Sequence, residues 1–288
     1  MSGSERIHPA TCIDSVHLTV SDLDRAIGFY TERLGFRLHR RDSANARLGA
    51  GGPDLLVLGE RRDAPRPRGT TGLYHFAVLV PTRFELARAL DHLRITRTAL
   101  TGAADHAVSE ALYLSDPDGI GIEIYRDRPR SEWTLEGEGV RMTTEPLDLE
   151  RVLAELPERA PPWQGFAPGT TIGHVHLHVS TLEPAERFYV EVMGFDRMAR
   201  FGRSASFVAA GGYHHHVGLN TWQGVGAPPP PEGAIGLRHV VVRLPNAQER
   251  ERVVARVKAA GIEVRETGDG WMLADPSSNR LLLAAEIV

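Results

Sequence analysis

The stretch Val16–Phe36, VHLTVSDLDRAIGFYTERLGF, returns at Val175–Phe195 as VHLHVSTLEPAERFYVEVMGF. His17 falls on His176, Phe29-Tyr30 on Phe188-Tyr189 and Gly35-Phe36 on Gly194-Phe195, all at an offset of 159 residues. Self-similarity at a fixed spacing marks a fold assembled from repeated units. A second pair, HFAVLVPTRFELARAL from His75 and HVVVRLPNAQERERVV from His239, lies between and after the first. Each runs on to an Asp-Pro turn, Asp116-Pro117 and Asp275-Pro276, again 159 residues apart. The chain therefore reads as four modules of about sixty residues, two in each half.

The modules share one local grammar. A short apolar strand such as Val16–Val20 or Phe76–Val80 leads into a capping residue: Ser21, Thr82, Thr181 or Asn246. Thr82 with Glu85, and Asn246 with Glu249, have the spacing of a capping box. Leu23, Ala26, Ile27, Tyr30 and Leu34 then recur at helical spacing on one face. Gly35 and Gly194 are placed to stop such helices. Short strands follow between Gly and Asp-Pro turns, for instance Phe207–Ala210, Val217–Leu219 and Leu281–Ala284. The expected class is α+β, four βαβββ modules whose sheets must pair to cover their open faces. The expected division is a first half at 1–126, a linker at 127–172 and a second half at 173–288. The linker, rich in Pro, Gly and charge, carries one short helix from Asp148 to Leu156. Ala227–Gly233, with four consecutive prolines, is expected to be a stiff, extended and exposed loop.

Composition narrows the class of protein. In 288 residues, 42% are apolar and 24% charged, as in soluble globular proteins. The net charge of −4 supplies no basic footprint for nucleic acid or anionic lipid. No apolar run is long enough for a membrane helix, and MSGSERIHPATC lacks the apolar core of a secretory signal. Cys12 is the only cysteine, so neither an intramolecular disulfide nor a Cys-rich metal site is available. The expectation is a cytoplasmic protein.

The chain holds 13 histidines, and His17, His75, His176 and His239 all lie in the first strand of a module. Any one of them taken alone reads as a satisfied polar strand residue, and duplication can preserve four without use. The last strand of the second module is more telling. In SDPDGIGIEIY, Glu123 sits between Ile122 and Ile124, and an ionised carboxylate there is costly unless paired or bound to a metal. The matching segment of the fourth module, ADPSSNRLLLA, has Leu282 at that place. Two histidines and a carboxylate form the facial set that suits non-haem Fe(II), and zinc accepts the same donors.

The four modules together resemble the vicinal oxygen chelate superfamily, which includes glyoxalase I, bleomycin-resistance proteins and extradiol ring-cleaving dioxygenases. More narrowly, GLYHFAVLVPTR, DHAVSEALYLSDPDGIGIEIY, GHVHLHVS and AGGYHHHVGLNTW are similar to the two-domain bacterial catechol 2,3-dioxygenases. That resemblance implies two barrel-like domains, Fe(II), a catecholic substrate with O2, and a homo-oligomer. It implies His75, Glu123 and His176 as metal ligands, His215 as the acid–base residue, and Tyr113 and His106 as its helpers. The family order is permuted here: His75, His106, Tyr113 and Glu123 come from the second module, His176 and His215 from the third. Gly218 and Leu219 stand where the family motif has Ala and Phe. Pairing of the second and third modules brings all of these into one cleft. Pairing of the first and second would put His17 in place of His176 and leave the His214–His216 run unexplained, unless that run is a surface tract. A regular strand would turn His214 and His216 away from His215, and a bulge would exchange their roles.

The reading that follows is an Fe(II) extradiol dioxygenase. A glyoxalase-type isomerase or lyase is the alternative among enzymes, although its usual fourth, carboxylate ligand has no counterpart. A metal-free protein that sequesters a drug or aromatic ligand is the alternative outside enzymes.

Overall fold

The computed structural model describes residues 6–137, 139–159 and 161–285. A strand, a helix and three further strands follow one another four times, in the segments 12–60, 72–127, 171–220 and 236–285. Thr82 and Asn246 cap their helices as their sequence context requires, accepting from the backbone N–H of Glu85 and Glu249. Two caps differ from expectation. In the first module Asp22 accepts from Arg25 N–H, because Ser21 is drawn away to donate to Asp118 over 2.6 Å. Thr181 occupies its cap position without a side-chain bond. The helices of the first and third modules finish in the π-turns Phe29–Leu34 and Phe188–Val192. Gly35 (φ 91°) and Gly194 (φ 89°) then reverse the chain in the left-handed conformation that a side chain would strain.

Strand pairing crosses the two halves of the chain. The first and fourth modules make one eight-stranded sheet, and the second and third make the core of a nine-stranded one. At each junction two first strands run antiparallel, with Val16 opposite Val240 and Phe76 opposite Val175. Within each module the first strand lies parallel to the last, as in Ala77 beside Glu123 and His176 beside Gly218. The ninth strand of the larger sheet, Glu145–Pro146, comes from the linker and pairs with Gly102–Asp105 at the edge. The linker helix spans Leu149–Leu153, capped by Asp148.

Strand alternation decides what each face does. Phe76, Val78 and Val80 enter one large apolar core with Val16, Leu18, Val175, Leu177, Val240, Val242 and the helices. Burying each such large side chain stabilises the fold by roughly 1.5–3 kcal/mol. The intervening residues His75, Ala77 and Leu79 face the other side, where Ala77, Ala111, Tyr125, Leu79 and Tyr113 form a separate small cluster. No described helix is long and apolar enough to cross a membrane.

The two sheets are tied by a pair of matching hydrogen bonds. Tyr30 of the first module donates to Asp116 of the second at 2.9 Å, and Tyr189 of the third to Asp275 of the fourth at 3.2 Å. Tyr30→Phe leaves a buried carboxylate oxygen without that donor. We expect a loss of about 1–3 kcal/mol, seen as a lower urea midpoint. An unchanged midpoint would mean that the bond contributes nothing to holding the sheets together.

Candidate metal centre

The antiparallel junction of the larger sheet relates its two modules by an approximate two-fold axis at Phe76 and Val175. Residues one step before that pivot are equivalent: His75 and His174. Residues one step after it are Ala77 and His176. In the smaller sheet the pivot is Val16 and Val240, so Ser15 matches His239 and His17 matches Val241. The four histidines singled out in the sequence therefore do not share one position. His75 and His239 precede the pivot; His17 and His176 follow it.

This register brings together a donor set other than the one the resemblance implies. Ligand atoms of His75, Glu123 and His174, all buried, lie within 4.8 Å of one another. Glu123 Oε2 is 3.0 Å from His75 Nε2 and 3.1 Å from His174 Nε2. His174 is in cross-strand register with Ala77, which is itself beside Glu123, whereas His176 lies a row away, opposite His75. Sequence reasoning missed His174. The available signal was its place immediately before Val175, as His75 immediately precedes Phe76.

The electrostatics suit a cation. Burial alone would raise the pKa of Glu123, but the facing imidazoles His174 and His75 hold it well below the usual carboxylate range. Burial takes His174 down to about 4 against the opposing pull of Glu123, so its ring is neutral at working pH. An ionised Glu123 and a neutral His174 are in the protonation states that ligation needs. His75 Nε2 is buried with no hydrogen-bond partner despite its short distance to Oε2. His174 Nε2 bonds the same carboxylate oxygen that His75 Nε2 faces unpartnered, and such converging donors fit a divalent metal.

The remaining candidates surround these donors. His176 is buried with its Nε2 unpartnered, and its ring lies 5.2 Å from that of His75 and 5.3 Å from that of Tyr74. It fits there because Gly218 has no side chain: a Cβ would come within 2.8 Å of the ring. Half-exposed Trp222 covers it from outside at 5.2 Å. Tyr113, paired across strands with Glu123, hydrogen-bonds His106 Nε2 at 2.7 Å. Burial, and then the Glu123 charge, keep the Tyr113 hydroxyl protonated far above neutrality. His106 Nδ1 donates to the Thr143 carbonyl at 2.6 Å, so both its nitrogens are already used. It holds the Tyr113 hydroxyl in place.

His214, His215 and His216 are all buried, which excludes a surface tract. They precede the strand Val217–Asn220 in irregular backbone, so the alternation of a regular strand does not apply. The His215 ring packs 4.0 Å from that of His174. His214 turns to Asp127, and His216 Nδ1 accepts from Ala210 N–H. A cavity of about 690 Å³ opens from outside onto His75, lined also by Tyr74, Tyr113 and His178 and rimmed by Pro229–Pro231.

Among the described residues the smaller sheet holds no equivalent centre. His17 and His239 stack at 4.0 Å, and burial first, with neighbouring positive groups, lowers them to about 3 and about 4. The place of Glu123 is taken there by Val57 and Leu282. We expect His17→Ala to keep the full metal content and turnover of the wild type. Loss of metal in that variant would move the centre to the other sheet.

The model of the Glyoxalase/Bleomycin resistance protein/Dioxygenase superfamily matches residues 12–124 and 171–281. The chain belongs to this superfamily. A curated relative, the catechol-2,3-dioxygenase of Bacillus subtilis (strain 168), is 46% identical over 277 residues, covering 94% of this chain and 96% of that protein. Among solved structures, a candidate dioxygenase of Bacillus subtilis superposes with a TM-score of 0.67 at 15% identity, covering 99% of this chain and 87% of its own. Glyoxalase I from Zea mays gives 0.58 at 17% identity, with 96% of this chain and 92% of its own covered. These structural likenesses bear out the fold of paired βαβββ modules expected from the repeats.

Proposed function

We propose that the chain is an Fe(II)-dependent extradiol dioxygenase that opens a catecholic ring beside its two hydroxyls. The observation that carries this reading is the convergence of two histidines and one carboxylate, His75, His174 and Glu123, with His75 lining a cavity. The likeness to a catechol-2,3-dioxygenase over nearly the whole chain supports it. A ferrous ion on these ligands would keep open positions where a diol and dioxygen meet. In the overall reaction the ring carbon–carbon bond next to the diol breaks and both atoms of O2 enter the product. The catechol is the only reductant.

The chain supplies position and proton transfer. Burial, followed by the crowding of His174, His214 and other imidazoles, holds His215 neutral, ready to accept a proton from a substrate hydroxyl and return it later. Tyr113 gives its hydroxyl hydrogen to His106 Nε2 and so presents lone pairs that accept from a substrate hydroxyl. Tyr74 and Trp222, with rings 5.2 Å apart, supply aromatic surface at the entrance. The glyoxalase-type alternative needs a second carboxylate. The position equivalent to Glu123 across the two-fold is Gly218, which offers none.

The test is an oxygen electrode coupled to absorbance. Iron-loaded protein and catechol should consume one O2 for each yellow ring-opened product formed. No uptake with catechol or with substituted catechols would overturn the reading.

A further inference from the structure

The strand Gly121–Asp127 ends in a carboxylate that the site described above does not use. Asp127 Oδ1 accepts from Tyr213 O–H at 3.2 Å and lies 2.8 Å from His214 Nε2. On the other side of that ring, His214 Nδ1 faces His215 Nδ1 at 2.7 Å. Tyr125 O–H meets Tyr213 O–H at 2.7 Å and braces the outer end of the chain of contacts.

The donor and acceptor inventory constrains the protons. A carboxylate only accepts, so the His214 nitrogen facing Asp127 carries a hydrogen. Two imidazole nitrogens in contact share one hydrogen between them. When His214 carries only the hydrogen directed at Asp127, its Nδ1 is bare and the shared hydrogen belongs to His215 Nδ1. The other His215 nitrogen, Nε2, is then the bare one, and His215 makes no further hydrogen bond to a described residue.

We propose that Asp127 and His214 are positioning residues that hold His215 as its Nδ1–H tautomer. This rests on the reading of His215 as the acid–base residue. Nε2 takes the substrate hydroxyl proton while Nδ1–H stays bonded to His214, and Asp127 stabilises the resulting imidazolium through the intervening ring. Later the same proton leaves from Nε2. The logic is that of a base oriented by a third group. It also accounts for the consecutive histidines: His214 orients and His215 acts, while His216 braces the turn through Ala210.

Nitrogen NMR of isotope-labelled histidines tests this on the full chain with diamagnetic zinc in the site, the His215 signals being assigned by their loss in His215→Ala. Wild-type His215 should be protonated on Nδ1. His214→Ala should move that proton to Nε2 and lower kcat of the iron-loaded protein about tenfold or more, with KM and iron content unchanged. His214→Gln, whose amide can donate to Asp127 and accept from His215, should restore most of the rate. Asp127→Asn should shift the tautomer as His214→Ala does, and it serves if the alanine variant does not fold. A wild-type His215 protonated on Nε2, or a His214→Gln protein as slow as His214→Ala, would overturn the proposal. Full turnover in iron-loaded His215→Ala would instead overturn the underlying reading, and it is separate from the tautomer measurement.

Discussion

Glu123→Ala purified under argon should contain no iron above background and show no oxygen uptake with catechol. The carboxylate is the only acidic ligand in the cluster, and the two-fold equivalent, Gly218, offers no substitute. Loss of a hydrogen-bonding partner behind a metal ligand already costs about ten- to a hundredfold in affinity, so removal of a ligand itself should cost more. The fold should survive. The variant removes a buried charge whose desolvation opposes folding, and leaves behind two imidazoles that are neutral when unprotonated. Circular dichroism matching the wild type, together with absent iron, is the expected pair of results. Iron retained at wild-type level with turnover would refute the ligand assignment.

His215→Ala should behave differently: iron kept, turnover lost by roughly a hundredfold or more, the scale of general acid–base catalysis. The ring contacts His174 at 4.0 Å but is absent from the donor cluster, so metal retention separates the two roles. An iron-loaded His215→Ala enzyme with unchanged turnover, beside an inactive His214→Ala or His216→Ala, would transfer the role to that neighbour.

The repeat and the module grammar were legible because they depend on local patterns: apolar alternation in the first strands, Thr82 and Asn246 before helices, Gly35 and Gly194 after them. Pairing of the second module with the third was legible only through chemistry, since Glu123 and the His214–His216 run needed one cleft. The choice between His174 and His176 was not legible from period-two reasoning. Both residues sit on the inward face of Thr171–His178, and only the cross-strand register with Ala77 and Glu123 separates them. Ser21 failed as a cap for a similar reason: its partner Asp118 lies 97 residues away, outside any local window. The orientation of His214 was hidden because the segment is irregular and its anchor, Asp127, belongs to another module.

Iron analysis of His174→Ala and His176→Ala, reconstituted side by side with Fe(II) without oxygen, tests the central claim most directly. The cluster of His75, Glu123 and His174 predicts one iron per chain in the wild type and in His176→Ala, and none in His174→Ala. Iron held by His174→Ala and lost from His176→Ala would contradict it.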